Sequence, residues 1–224
     1  WAFALDMPRE WSGDASLRMR SDYQLGFFFG GPRPRNLDYR VTSHVDYRAR
    51  EPLTEGERAT FRALPEGSNP RSRALAEGWL ADSPSGATIV TRAMDYLRSQ
   101  PFAYTLTPPA LGAQPVDEFL FETREGFCEH YASALTFLLR AAGLPARVVM
   151  GYQGGELNTL GGYYIVRQTD AHAWTEVWLE DDGWIRVDGV AAVAPERVAL
   201  GYDGRGSGGV TSAAALLRAR WSRP

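Results

Sequence analysis

The run from Tyr131 to Gly143, with the four extended segments behind it, most constrains the fold. Apolar residues recur at Tyr131, Ala132, Leu135, Leu138, Leu139 and Ala142, the spacing of a helix with one buried face. Gly143 closes the run as a C-terminal glycine does. "ARVVMGY" (146–152), "GYYIVRQ" (162–168), "HAWTEVWLE" (172–180) and "WIRVD" (184–188) then read as strands. "DDG" at 181–183 marks a hairpin between the last two. Helices segregated from an antiparallel sheet argue an α+β fold.

Upstream, Leu37, Tyr39, Val41, Val45 and Tyr47 alternate with polar residues, the period of a strand with one wet face, and His44 falls on that face. "YQLGFFFGG" (23–31) reads as another strand. From Glu55 the chain turns charged and alanine-rich, which suggests a linker and then a helix started by Pro70. "GATIVTRAMDYLRSQ" (86–100) sets Ile89, Val90, Ala93, Met94 and Leu97 at helical spacing and stops before Pro101. "FAYTL" is a short extended piece, "TPPALGAQP" a loop, and "VDEFLFETREG" leads into Cys128. Half of 201–210 is glycine, a linker composition, and "SAAALLRARW" beyond it suits a helix. The expected organisation is a β-rich region over 1–54, a core over 55–200 and a C-terminal segment over 201–224. The opening "WAFALDMP" reads as the middle of a domain, so an excised piece of a longer protein is expected.

A net charge of −3 makes no electrostatic case for nucleic acid or an anionic membrane surface. No run of 18 apolar residues is present to span a bilayer. Attention therefore falls on Cys128, the only cysteine in 224 residues, at the start of its helix and two residues after Gly126. A lone cysteine is most often a small core residue. This one has two means of activation. The amides of a helix N-terminus favour a thiolate, and the same amides can donate to an oxyanion once sulfur has added to a carbonyl. An imidazole can take the thiol proton and return it. Gly126 is expected to permit a sharp entry into the helix.

Of the three histidines, His44 lies far upstream, and His130 sits two residues past the cysteine, on the other side of the helix. The ligand spacing of structural zinc is absent, so neither metal nor cofactor is expected. His172 opens the strand that carries Trp174, Glu176 and Trp178 on the same face, and Asp188 ends the next strand. A carboxylate beside the imidazole would hold one tautomer. A four-residue turn from Glu180 to Gly183 sets Asp188 opposite Thr175, on the wrong face for His172; an odd loop length or a bulge restores the parity. On spacing alone Asp170, Asn158 and Glu176 are equally eligible.

The stretches "GFCEHYASALTFLLRAAGLPARVVMGY" and "GYYIVRQTDAHAWTEVWLEDDGWIRVD" resemble the core of the transglutaminase-like superfamily. A G-x-C helix, the turn and strand after it, H-A-W-x-E-V and G-W-x-x-x-D stand in that family's order over roughly residues 70–195. The "CEH" is similar to a bacterial branch whose domain lies outside the inner membrane, between membrane-spanning segments. The resemblance implies a papain-like fold, a cysteine helix packed on an antiparallel sheet. It implies Cys128 as nucleophile, His172 as general base and acid, and Asp188 as the residue that orients His172. Asp188-Gly189-Val190 departs from the branch's Asp-Pro-Thr and is expected to loosen the strand end. Eukaryotic members place a tryptophan upstream of the cysteine as an oxyanion donor. None lies between Trp79 and Cys128, so the Cys128 amide and a second, unassigned group are expected.

Trp174, Trp178 and Trp184 are candidates to wall the site, although core packing is the commoner role for at least two of them. Tyr152, Tyr163 and Tyr164 are candidates for an acceptor groove. Trp174, Tyr152 and Tyr164 are the expected substrate contacts. By resemblance the activity is thioester acyl transfer from a protein glutamine side chain to an amine such as lysine, with no nucleic-acid partner. The alternatives are a cysteine peptidase or amidase using the same three residues, and a catalytically inactive interaction module. The resemblance implies a periplasmic domain of a bacterial inner-membrane protein.

Overall fold

The computed structural model describes residues 4–5, 8–13, 17–19, 27–29, 38–44, 49–82 and 84–200. The glycine-rich segment and the helix expected beyond it lie outside the described residues, as do Leu37, Val45, Tyr47 and most of 23–31. Two compact units are present, Trp1–Arg48 and Ala49–Pro224.

Among the described residues of the first unit are two antiparallel pairs. β1 (Pro8–Gly13) pairs with β4 (Tyr39–Ser43), and β2 (Leu17–Met19) with β3 (Phe27–Phe29). Along β4 half-buried Tyr39, Val41 and Ser43 alternate with exposed Arg40 and Thr42, the expected period of two. His44 is exposed and lies 3.3 Å from an Arg9 guanidinium nitrogen.

The second unit begins with a helix where a linker was expected, α1 (Glu55–Arg62). Its cause is legible in Thr54-Glu55-Gly56-Glu57. The Thr54 hydroxyl accepts the Glu57 amide at 3.2 Å, and the Glu57 carboxylate accepts the Thr54 amide at 2.7 Å. This reciprocal box satisfies donors a helix start leaves open. Phe61 of α1 is buried with Leu53 and Trp178, and Trp184 packs against them.

Pro70 opens α2 (Pro70–Gly78) as expected. Buried Asp117 caps this helix, its carboxylate accepting the amides of Arg71 at 3.0 Å and Ser72 at 2.7 Å. α3 (Gly86–Ser99) is capped by Ser85 and buries Ile89, Ala93 and Leu97. A short strand β5 (Ala103–Tyr104) follows. The approach to Cys128 is not a plain connection. It holds α4 (Pro115–Glu118), a π-helical turn (Phe119–Thr123) and a two-residue strand β6 (Glu125–Gly126) that pairs parallel with β5.

α5 (Cys128–Ala141) is the centre of the unit, with Tyr131, Leu135, Leu138 and Leu139 fully buried. It lies on a three-stranded antiparallel sheet in the order β11-β10-β7, formed by β7 (Ala146–Tyr152), β10 (Ala171–Leu179) and β11 (Gly183–Val187). Ala173, Thr175 and Val177 of β10 are buried towards this core, and the Thr175 hydroxyl donates to the Ala132 carbonyl at 3.0 Å. β8 (Glu156–Asn158) and β9 (Tyr163–Ile165) form a separate hairpin, a 3-10 turn (Gly189–Ala192) follows β11, and α6 (Pro195–Leu200) comes after it. The α+β arrangement is the expected one, a cysteine-bearing helix packed on an antiparallel sheet.

Candidate active site

Cys128 is the first residue of α5, and Phe127 before it is extended at φ −116° and ψ −175°. Gly126 serves space rather than a turn. A Cβ there would stand 2.7 Å from the His130 Cβ and 2.9 Å from the Phe119 ring, while the glycines with positive φ lie elsewhere. The Phe127 amide donates to His130 Nδ1 at 3.4 Å, and the His130 ring packs against Phe119 and Phe127. His130 thus closes the helix start and does not line the cleft in front of Cys128.

That cleft, about 310 Å³, brings Cys128 and His172 together, with Tyr104, Phe127, Met150 and Gln153 among its walls. His172 Nε2 lies 2.7 Å from Asp188 Oδ2. Both side chains are about nine-tenths buried. The hairpin explains how. Leu179 pairs with Gly183, so Glu180, Asp181 and Asp182 form an odd, three-residue turn. Thr175 then faces Val187, which sets Asp188 one step on, opposite Trp174 and on the face of His172. Gly183 makes the turn possible: its φ is +78°, and a Cβ would lie 2.1 Å from the Ala49 carbonyl oxygen.

The carboxylate is held from several sides. Asp188 Oδ1 accepts the Val190 amide at 3.1 Å, so the Asp-Gly-Val sequence caps a 3-10 turn instead of loosening the strand end. Arg186 donates to Asp188 Oδ2 at 3.3 Å and to Gln153 Oε1 at 2.9 Å, its guanidinium 4.1 Å above the Trp174 ring. Gln153 in turn donates to the Val198 carbonyl at 2.7 Å. Burial alone would raise the Asp188 pKa, but the hydrogen bond and charge of His172 and the neighbouring Arg186 outweigh it and bring it below the usual carboxylate value.

The same competition runs through the other two groups. Burial disfavours imidazolium at His172, yet its hydrogen bonds to Asp188 and Cys128 raise its pKa. Burial disfavours thiolate at Cys128, yet hydrogen bonds from His172 and from the Ala173 amide lower its pKa below the ordinary thiol value. With Nε2 given to Asp188, Nδ1 is the nitrogen left for the sulfur. A thiol so placed can be ionised by its neighbouring base and can attack an electrophilic carbon entering the cleft.

The other eligible orienters are engaged elsewhere. Asp170 accepts the Arg167 amide at 2.7 Å, Asn158 accepts the Leu160 and Gly161 amides, and Glu176 pairs with Arg147 at 2.7 Å. The expected substrate contacts do not line the cleft. Trp174 lies beside His172 with ring centroids 6.2 Å apart, under Arg186. Tyr152 donates its hydroxyl to Gln168 at 2.8 Å, and Tyr164 is exposed on β9. Trp178 and Trp184 belong to the Leu53–Phe61 cluster, so they are core residues and not walls of the site. Among the described residues no cluster of His, Cys, Asp and Glu has the form of a metal site, and no helix is long and apolar enough to cross a membrane. Sequence reasoning passed over Tyr104, Gln153 and Arg186. Only the parallel β5–β6 pairing, for Tyr104, and the register of the sheet, for the other two, bring them in.

Residues 73–189 match the profile of the transglutaminase-like superfamily. The chain is 45% identical over 203 residues to a protein-glutamine gamma-glutamyltransferase of Pseudomonas aeruginosa, covering 91% of this chain and 30% of that protein. It is 39% identical over 132 residues to the uncharacterized protein YebA of Bacillus subtilis, covering 56% of this chain and 18% of that one. It therefore spans less than a third of these curated relatives. The crystal structure of the periplasmic domain of TgpA from Pseudomonas aeruginosa superimposes with a TM-score of 0.76 at 41% identity, over 88% of this chain and 67% of that one. Its ethylmercury-bound form superimposes with a TM-score of 0.75 at 41% identity, over 88% of this chain and 70% of that one. On the span of the profile match, the chain belongs to the transglutaminase-like superfamily.

Proposed function

We propose that this domain transfers acyl groups through a thioester on Cys128, most specifically the γ-glutamyl group of a protein glutamine to a primary amine such as lysine. The observation that carries the reading is the 2.7 Å contact of His172 Nε2 with Asp188, beside a sulfur whose pKa is lowered by the same imidazole. His172 takes the thiol proton as sulfur attacks the carboxamide carbon. The C–N bond then breaks, and ammonia leaves with the proton from His172. The incoming amine gives a proton to His172 as it attacks the thioester, and the departing sulfur takes a proton back. Asp188 keeps the ring oriented and balances its positive charge without itself being protonated.

The protein-glutamine gamma-glutamyltransferase relative supports the choice of donor. The cleft is lined by two carboxylates, Glu129 and Asp170, and one guanidinium, Arg197, a net negative balance that favours the approach of an ammonium group, which loses a proton before it attacks. The periplasmic domain of TgpA supports an extracytoplasmic location, and the small share of the curated relatives that this chain spans supports a place within a longer protein.

The test is ammonia release together with incorporation of a fluorescent primary amine into a glutamine-bearing protein. Wild type should give both, and Cys128→Ala neither. Equal behaviour of the two would end this reading. Ammonia released without amine incorporation would mean that water resolves the thioester, as in an amidase.

A further inference from the structure

A nucleophile at a helix start offers one oxyanion donor, its own amide, and a tetrahedral adduct is best held by two. The missing second donor has a candidate on β5. Tyr104 pairs with Gly126, and the Ala103 and Thr105 amides donate at 2.9 Å to the carbonyls of Arg124 and Gly126. That pairing fixes Tyr104 beside the residues leading into Cys128. The ring is clamped as well: it lies parallel to Tyr131, with centroids 6.3 Å apart, and the Arg197 guanidinium sits 4.3 Å over it. Tyr131 is in turn anchored by its hydroxyl, which donates to the Ala103 carbonyl at 3.0 Å. Tyr104 lines the same cleft as Cys128 and His172, with its phenol against the Cys128 amide and sulfur.

We propose that Tyr104 is a catalytic residue whose hydroxyl, with the Cys128 amide, holds the oxyanion formed when Cys128 adds to the substrate carbonyl. The assignment rests on the thioester reading above. As the S–C bond forms, the C=O π pair moves to oxygen, which accepts one hydrogen bond from the Cys128 N–H and one from the Tyr104 O–H. When the adduct collapses the C=O bond returns, the C–N bond breaks and Tyr104 keeps its proton throughout. Burial, followed by the charge of Cys128, raises the phenol pKa, so the group remains a donor at neutral pH.

Tyr104→Phe keeps the clamped ring and deletes only the donor. Two reactions of Cys128 separate its roles. Acylation by a p-nitrophenyl ester builds an oxyanion; alkylation by iodoacetamide, run well above the thiol midpoint, builds none. Acylation should slow about 100-fold, mainly in the maximal rate and not in KM, with alkylation within about threefold of wild type. Wild-type or faster acylation in Tyr104→Phe would overturn the assignment and mark the phenol as a bystander or a plug, leaving the thioester reading intact. An equal loss in both reactions would overturn it too, as general damage to the thiol. Failure of glutamine-dependent amine transfer despite a Tyr104-sensitive ester reaction would remove the proposed function and keep Tyr104. A wild-type sulfur inert to the ester would end both.

Discussion

His172 and Trp178 stand on the same face of the same strand, and their surroundings differ in kind. At the His172 end a chain of polar partners, Asp188, then Arg186, then Gln153, runs behind the ring, with Trp174 beside it and the cleft and Cys128 in front. At the Trp178 end the neighbours are Leu53, Phe61 and Trp184, the two indoles meeting edge to face with centroids 5.9 Å apart. Glu176, paired with Arg147, separates the two regions. The strand thus carries candidate chemistry at one end and stabilising apolar burial at the other. Substitutions at the two ends should fail in different assays.

Between the two ends of the strand, the larger effect on rate is expected from Asp188→Asn. Loss of the charge that supports His172 should lower the rate of thioester formation by about 1,000-fold or more, roughly 4 kcal/mol of barrier. Unfolding in urea should move by less than for any loss at the Trp178 end. Rate loss matched by an equal collapse in stability would mean that Asp188 is a structural residue, and the contrast would break there.

Trp178→Ala should show the converse. Deleting a buried indole costs about 3–5 kcal/mol, read as a lower urea midpoint. The pH at which Cys128 becomes reactive should stay where it is in the wild type. A displaced reactivity profile would show that the two ends communicate along β10.

The contrast also shows where the sequence could be read and where it could not. α5, its closing Gly143 and the β10–β11 hairpin are local patterns, so periodicity alone reveals them. α1 was equally local, but its signal was the pair Thr54 and Glu57 and not an apolar stripe, and a charged composition hid it. The meeting of His172 with Asp188 was undecidable from spacing because it depends on parity: one residue more in the turn would place the carboxylate on the opposite face. Trp178 resembled a site residue by alternation with His172. Only the position of α1 over that end of the sheet makes it core. Tyr104, Gln153 and Arg186 carry no motif, since each reaches the site through pairings distant in sequence.

If His172 and Cys128 share a proton, removing the imidazole must move the pH at which Cys128 reacts, which alkylation of wild type and His172→Ala across pH measures. Only the thiolate reacts, so the rate falls as pH drops through the thiol pKa. His172 lowers that pKa while burial raises it. The wild-type midpoint should therefore lie below that of a free thiol and shift upward in His172→Ala, where the Ala173 amide alone is left to oppose burial. Superimposable profiles for the two proteins would contradict a shared proton.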